Sequence, residues 1–333
     1  MSENNLTRDN LQLSRATIGA IRPLGTGADL HAADSMTLGA DVRRFIIDSI
    51  APATRRAYDS DLAHFEAWGG ILPASPEVVA SYLAAHVNLL SVATLVRRVA
   101  SLSTAHEAKT LPNPCRSKLV RSTLRGIKRI VGTAQRQAKV LTRDDLFLAL
   151  DKMGDSIKDA RDRALLLLGF ATGLRRSELV SLDCEDIERV RQGVVVTLRR
   201  SKTDQEGDGR RIGIPFGRTR HCPVGSLDRW LSRAGIERGP IFRPVNRHGQ
   251  VQAGRLAGAA IAELVRQRVS AVGMDPVGFS GHSLRAGLAT SAARLGVPAS
   301  KIRAQTGHAS DVMLSRYIRE GELFISNAAG ALL

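Results

Sequence analysis

Cysteine, lysine and aromatic residues are all scarce in this chain, and no long apolar run occurs. Among 333 residues there are three cysteines, Cys115, Cys184 and Cys222, widely spaced and with no Cys-x-x-Cys pair. That excludes a disulfide framework and a zinc site, and fits a reducing cytoplasm. No window approaches eighteen apolar residues, and the amino terminus has no basic segment followed by an apolar one, so the expectation is a protein that neither spans a membrane nor is secreted. A Walker-type glycine loop is missing, as is the acidic cluster a two-metal nuclease needs, so no cofactor and no metal are expected.

What the chain has in excess is arginine. Lysine and arginine number 48 against 32 acidic residues, a net charge of +16, and only eight of the 48 are lysines. Hydrophobic residues at 43% and charged ones at 24% are the proportions of a globular protein, so the surplus charge belongs to a folded surface with a polyanionic partner. The length suits two domains.

Residues 1–40 mix Gly, Thr, Asp and Ala without a period and read as a flexible arm. Four helices are expected over 41–135. The first runs from Pro52 with Thr54 as its cap, carries Tyr58, Leu62, Phe65 and Trp68, and stops at Gly69-Gly70. Others span Pro76 to Val87 and Ser91 to Ala108, with Tyr58 and Tyr82 read as core residues. The fourth, Pro114 to Val131, sets Val120, Leu124, Ile127 and Val131 against a face of Lys118, Arg121, Arg125, Lys128 and Arg129. Eight basic residues and no acidic one lie between Arg116 and Lys139. A stripe of one sign is what phosphate contacts require.

The segment Gly132 to Lys139 has no apolar period, which places a linker at 136–141. Beyond it, Thr142 and Asp145 form a capping pattern for a helix through Leu150, and Arg161 to Thr172 is a richly apolar helix ending at Gly173. The β-branched run Gly193 to Arg199 and Arg211 to Pro215 form a hairpin. Helices follow at about Gly254 to Val272, Ser283 to Leu295, Pro298 to Ala304 and Asp311 to Ile318. The whole reads as mainly α: a four-helix unit, then a mostly helical α+β unit with a small antiparallel sheet.

Single motifs carry little weight here. With eight His and this much Arg, about one His-x-x-Arg arises by chance, so His282 to Arg285 alone proves nothing. Tyrosine occurs only three times, and a Tyr nine residues after some His has a chance of roughly 7%. His308 and Tyr317 have that spacing. Order adds the rest: Gly173-Leu174-Arg175-Arg176-Ser177-Glu178-Leu179 closes an apolar helix, Lys202 sits on a hairpin, and His282-Ser283-Leu284-Arg285, Gly307-His308 and Tyr317 follow.

In these motifs the chain resembles the tyrosine recombinase, or phage integrase, family, over about residues 41–320. Thr54 to Trp68 also looks like the first helix of the family's core-binding domain, a four-helix, SAM-like unit. The resemblance implies a core-binding domain at 41–135, a catalytic domain at 142–318 and a tail at 319–333 that docks on a neighbouring protomer through Leu323, Phe324 and Ile325. It makes Tyr317 the nucleophile that joins a DNA 3′-phosphate, and Arg175, Arg285 and His308 the groups that stabilise the phosphorane. Lys202 protonates the leaving 5′-oxygen, His282 assists in proton transfer or phosphate binding, and Glu178 orients Arg175 or His282. Arg200, Arg210 and Arg211 flank the hairpin and are expected on the DNA backbone. Ala286 stands where many members have a second His, and Thr306 replaces a common Leu before Gly-His.

Such a residue set suits the chemistry. A phosphodiester attacked by a protein oxygen passes through a transition state with negative charge on its non-bridging oxygens, and guanidinium forks match that charge in shape and sign. The implied function is site-specific recombination of double-stranded DNA by a tetramer on two duplexes, with an accessory or partner recombinase left open. Two alternatives remain. A type IB topoisomerase uses similar chemistry as a monomer, and Thr290 to Gly307 has the spacing of a helix-turn-helix, as a DNA-binding regulator would.

Overall fold

The computed structural model describes residues 41–333 apart from 42–43, 46–48, 134–136, 200–208, 309, 322–328, 330–331 and 333. Chain contacts divide it into two compact units, residues 1–135 and 136–333. Among the described residues no helix is long and apolar enough to cross a membrane.

Among the described residues, the first unit has the helices α1 (Pro52–Ala67), α2 (Pro76–Ala85), α3 (Val92–Ala108) and α4 (Lys118–Val131). Ser75, Ser91 and Ser117 cap the last three by accepting from the backbone N–H three residues on. The first helix differs from expectation. Ala51 precedes it and no side chain caps it: Pro52 takes the first helical position, and Thr54, expected as the cap, lies inside the first turn with its N–H bonded to Ala51 O. Ahead of α4, Pro114–Arg116 form a separate 3₁₀ turn, since Ser117 restarts the chain as a cap.

The core of this unit gathers Leu62, Phe65, Val79, Leu83, Leu95, Leu102, Val120 and Ile127 around Tyr82. Tyr82 is fully buried, and its hydroxyl accepts from Arg98 Nη1 at 2.5 Å. Tyr58, expected in the core, is half-buried and lies outside it. Val131 closes the apolar stripe of α4 but is 48% exposed at the helix end. On the opposite side Lys118, Arg121, Arg125, Lys128 and Arg129 are all exposed, within an arc of about 100°.

In the second unit come α5 (Arg143–Asp151), α6 (Ile157–Thr172), α7 (Arg176–Ser181), strands β1 (Ile187–Val190), β2 (Gly193–Leu198) and β3 (Arg210–Pro215), then α8 (Pro223–Ala234), α9 (Gly258–Ser270), α10 (His282–Arg294), α11 (Ala299–Thr306) and α12 (Asp311–Gly321). Thr142 caps α5 as its spacing predicts. Helix α6 starts a turn earlier than its apolar run, because Ser156 accepts from Asp159 N–H at 3.0 Å. It is buried along most of its length and packs against α8 and α10. The sheet is antiparallel in the order β1-β2-β3, with Val196 opposite Ile212 and Leu198 opposite Arg210. Val194, Val196, Leu198, Ile212 and Ile214 face inward.

A second, small cluster of Ala289, Ala293, Ile302 and Leu314 joins α10, α11 and α12, with Tyr317 and Ile318 packed on it. This cluster fixes the last helix, and therefore Tyr317, against the unit's centre.

Candidate active site

Four chain segments converge, and each is placed by a local rule. The first is the end of α6. Gly173 adopts a left-handed conformation, φ 60°, that stops the helix, and Arg175 then begins α7. Glu178, buried in the first turn of α7, accepts from Arg175 N–H at 2.9 Å through Oε2 and from Arg175 Nη1 at 2.5 Å through Oε1. One carboxylate thus caps the helix and aims the guanidinium. Of the two partners expected for Glu178, it holds Arg175. Arg176 is exposed.

The second segment is the first turn of α10, where His282 and Arg285 lie one turn apart. Arg285 is 2% exposed. Its Nη1 donates to Gly173 O at 2.8 Å and also to Thr306 O. Those carbonyls end α6 and α11, so the guanidinium sits where two helix C-termini point their negative ends. Burial, and then Arg175, push its pKa down to about 10, which leaves it charged at neutral pH.

The third segment is the end of α11. Gly307, φ 66°, stops the helix and turns the chain so that His308 is buried. Thr306 Oγ1 lies 2.7 Å from Ile302 O and 2.7 Å from His308 Nδ1. A carbonyl only accepts, so the single hydroxyl proton goes to Ile302 and the neutral imidazole donates from Nδ1. The Thr at the position of a common Leu is therefore a hydrogen-bond partner of the site histidine.

The fourth is α12, which carries Tyr317. Its hydroxyl is 2.7 Å from His282 Nε2, and its ring centroid is 5.7 Å from that of His308. Burial lowers the pKa of His282, helped by Arg285 and Arg175, so the ring is neutral at pH 7 and its Nε2 can accept the phenolic proton. Of the two roles expected for His282, this contact fits proton transfer.

His308 is more strongly perturbed. Burial, then Arg285, His282, Arg175 and Arg210, push its pKa down to about 3. Unfolding restores an ordinary imidazole, so between pH 6.5 and 3 the unfolded chain binds the extra proton and stability falls as pH falls. The DNA-free protein is expected to lose roughly 2 kcal/mol between pH 7 and pH 5 from this group alone. Denaturant unfolding of the second unit at the two pH values measures it, and His308→Gln should remove that part of the pH dependence. An unchanged slope in the variant rules the assignment out.

The structure brings together Arg175, Glu178, His282, Arg285, His308 and Tyr317. Lys202 and Arg200 lie outside the described residues, as do the tail positions Leu323, Phe324 and Ile325. Arg211 is turned away and paired with Glu188 at 2.6 Å. Arg210, expected on the DNA backbone, lies beside the cluster, with its guanidinium against Gly307. Three elements, α7, α8 and β1, have no counterpart in the sequence reading. Helix α8 had a usable signal in Pro223 followed by Val224, Leu227, Trp230 and Leu231, whereas β1 is four residues with no clean alternation. Thr290 to Gly307 does fold as two helices, and they deliver Arg285 and His308 to the cluster.

The sequence model of the phage integrase family matches residues 139–322. An integrase/recombinase XerD homolog from Selenomonas ruminantium is 38% identical over 301 residues, covering 87% of this chain and 88% of its own. Recombinase Cre of Escherichia phage P1 is 28% identical over 267 residues, covering 74% and 76%. Among solved structures, the XerH site-specific recombinase bound to a palindromic difH substrate superposes with a TM-score of 0.60 at 19% identity, over 84% of this chain and 79% of that one. A lambda integrase dimer bound to a COC′ core site gives a TM-score of 0.60 at 19% identity, over 84% and 76%. Those two likenesses are of fold.

Proposed function

The chain belongs to the phage integrase family, and on that premise we propose that it is a site-specific DNA recombinase that cuts and rejoins strands through a phosphotyrosyl bond on Tyr317. The observation that carries this is the convergence of Arg175, His282, Arg285, His308 and Tyr317 from four separate segments, with Tyr317 Oη 2.7 Å from a neutral histidine nitrogen.

Tyr317 Oη attacks the scissile phosphorus while its proton passes to His282 Nε2. The bond to the 5′-oxygen breaks, Lys202 supplies that oxygen with a proton, and the 3′-phosphate stays on the tyrosine. A 5′-hydroxyl from another strand then attacks the phosphotyrosine and releases Tyr317. The number of phosphodiester bonds is unchanged, so no external energy source enters. Arg175 and Arg285 donate to the phosphoryl oxygens. Arrival of a phosphate between them offsets the positive charges that, after burial, depress His308, and so favours its taking up a proton and donating as well.

The reaction takes place on double-stranded DNA, with four protomers holding two duplexes, in the cytoplasm. In the first unit the basic face of α4 tracks the phosphate backbone; none of its five cations forms an ion pair among the described residues. Converting Arg121 and Lys128 together to Gln is expected to weaken binding and to lower the slope of log affinity against log salt by about two, because two fewer counterions are released. A slope equal to wild type would place the DNA elsewhere.

The test of the function starts from the DNA that the purified protein retains from a genomic library, which gives the cognate site. A nicked suicide duplex of that site should become attached to the protein on its 3′ side. Two such sites mixed together should exchange flanking sequence; relaxation of supercoils without exchange would make the protein a topoisomerase instead.

A further inference from the structure

The site contains a third arginine that the family resemblance does not supply. We infer that Arg210 donates to an oxygen of the scissile phosphate, as a catalytic partner of Arg175 and Arg285; this rests on the function proposed above.

Strand parity is the first support. Side chains alternate along a strand, so Arg210, Ile212 and Ile214 share one face of β3. Ile212 and Ile214 are both 2% exposed, which makes that face the inward one. Arg211 is on the other face, where it meets Glu188. Two adjacent arginines, equal in the sequence, are therefore sent to opposite sides of the sheet.

Packing is the second. The Arg210 guanidinium lies against Gly307, the residue before His308, and a Cβ at position 307 would overlap it. The close approach to the turn carrying His308 thus depends on a residue without a side chain.

The third is an unmatched charge. Arg210 Nη1 is out of contact with water and has no hydrogen-bond partner among the described residues, whereas Arg175 holds Glu178 and Arg285 holds two carbonyls. A guanidinium in that position carries a desolvation cost that nothing in the described protein offsets, and an anion is what completes it. Burial is also the main cause that lowers its pKa, ahead of the opposing pulls of Glu178 and Arg175. Leaving Lys202 aside, the cluster holds three guanidiniums against the single carboxylate of Glu178, with both histidines neutral. That surplus of positive charge is what the anionic phosphodiester offsets.

The experiment uses the full chain and two suicide duplexes, one with the natural scissile phosphate and one with an uncharged methylphosphonate there. Arg210→Gln and Arg210→Lys are compared with wild type in single-turnover cleavage at saturating protein, with binding measured by gel shift. On the natural duplex Arg210→Gln is expected to cleave roughly 10²-fold more slowly and Arg210→Lys to recover part of that, with affinity changed less than about threefold. On the methylphosphonate the Gln variant should fall within about threefold of wild type, because the charge it would have met is gone. A variant that merely misfolds is slow on both duplexes by the same factor, and that result overturns the proposal. So does normal cleavage with weaker binding and a smaller salt slope, which is the signature of a backbone contact. Tyr317-dependent attachment by wild type is the control for the function itself: without it both readings fall, and with it only the Arg210 assignment is at stake.

Discussion

Replacing Tyr317 with Phe is expected to abolish covalent attachment to a nicked suicide duplex while leaving binding within about threefold of wild type. The substitution deletes one oxygen. The ring that remains still packs on Ala289, Ala293, Ile302 and Leu314, so α12 should keep its place. What is lost is the contact with His282 Nε2 and, with it, the only atom of this side chain that can bond to phosphorus. Because the reaction stores its bond energy in the phosphotyrosine, no partial rate is expected, in contrast to the graded losses from removing a charge. A hydroxyl at a half-buried position contributes little to folding, so stability should change by less than about 1 kcal/mol. Adduct formed by the Phe variant, detected as protein-linked DNA after denaturation, would give the nucleophile to another residue.

The sequence already contained the order of the candidate site and most of the residues that converge there, because these follow short spacings. Arg175 to Glu178 is one helical turn, His282 to Arg285 another, and His308 to Tyr317 a turn followed by a helix, so each pair shares local geometry. Contacts between these segments were not legible. Nothing in the sequence near Arg285 announces Gly173 O and Thr306 O as its partners, since they lie 112 and 21 residues away along the chain. The same holds for Arg210 and Arg211. Composition gives them equal claims, and only the register of β3, set by its pairing with β2, sends one inward. In the first unit, periodicity located the helices, whereas Tyr58 shows its limit: a residue on an apolar stripe is buried only where another element covers it.

Electrostatics divides the two matched arginines in a way that a second experiment can read. Arg175 keeps about a fifth of its side chain exposed and is held by one carboxylate, which keeps its bond to the Arg175 N–H in Arg175→Gln, so that variant should lose cleavage and less stability than Arg285→Gln. Arg285 has a double task. Its guanidinium neutralises the carbonyl ends of α6 and α11 from a position closed to water and, in the proposed reaction, also presents charge to the phosphate. Arg285→Gln should therefore slow cleavage by roughly 10³-fold and destabilise the second unit by about 3 kcal/mol, because buried carbonyls lose a charged donor. For a unit of this size the thermal midpoint would drop by roughly 6–12 °C. Arg285→Lys separates the two tasks: an ammonium can serve the carbonyls but cannot also extend a planar fork to the phosphate, so stability should recover more than activity. If Arg285→Gln melted at the wild-type temperature, the carbonyl contacts would have no energetic weight, and the arginine would be positioned by the fold of α10 alone.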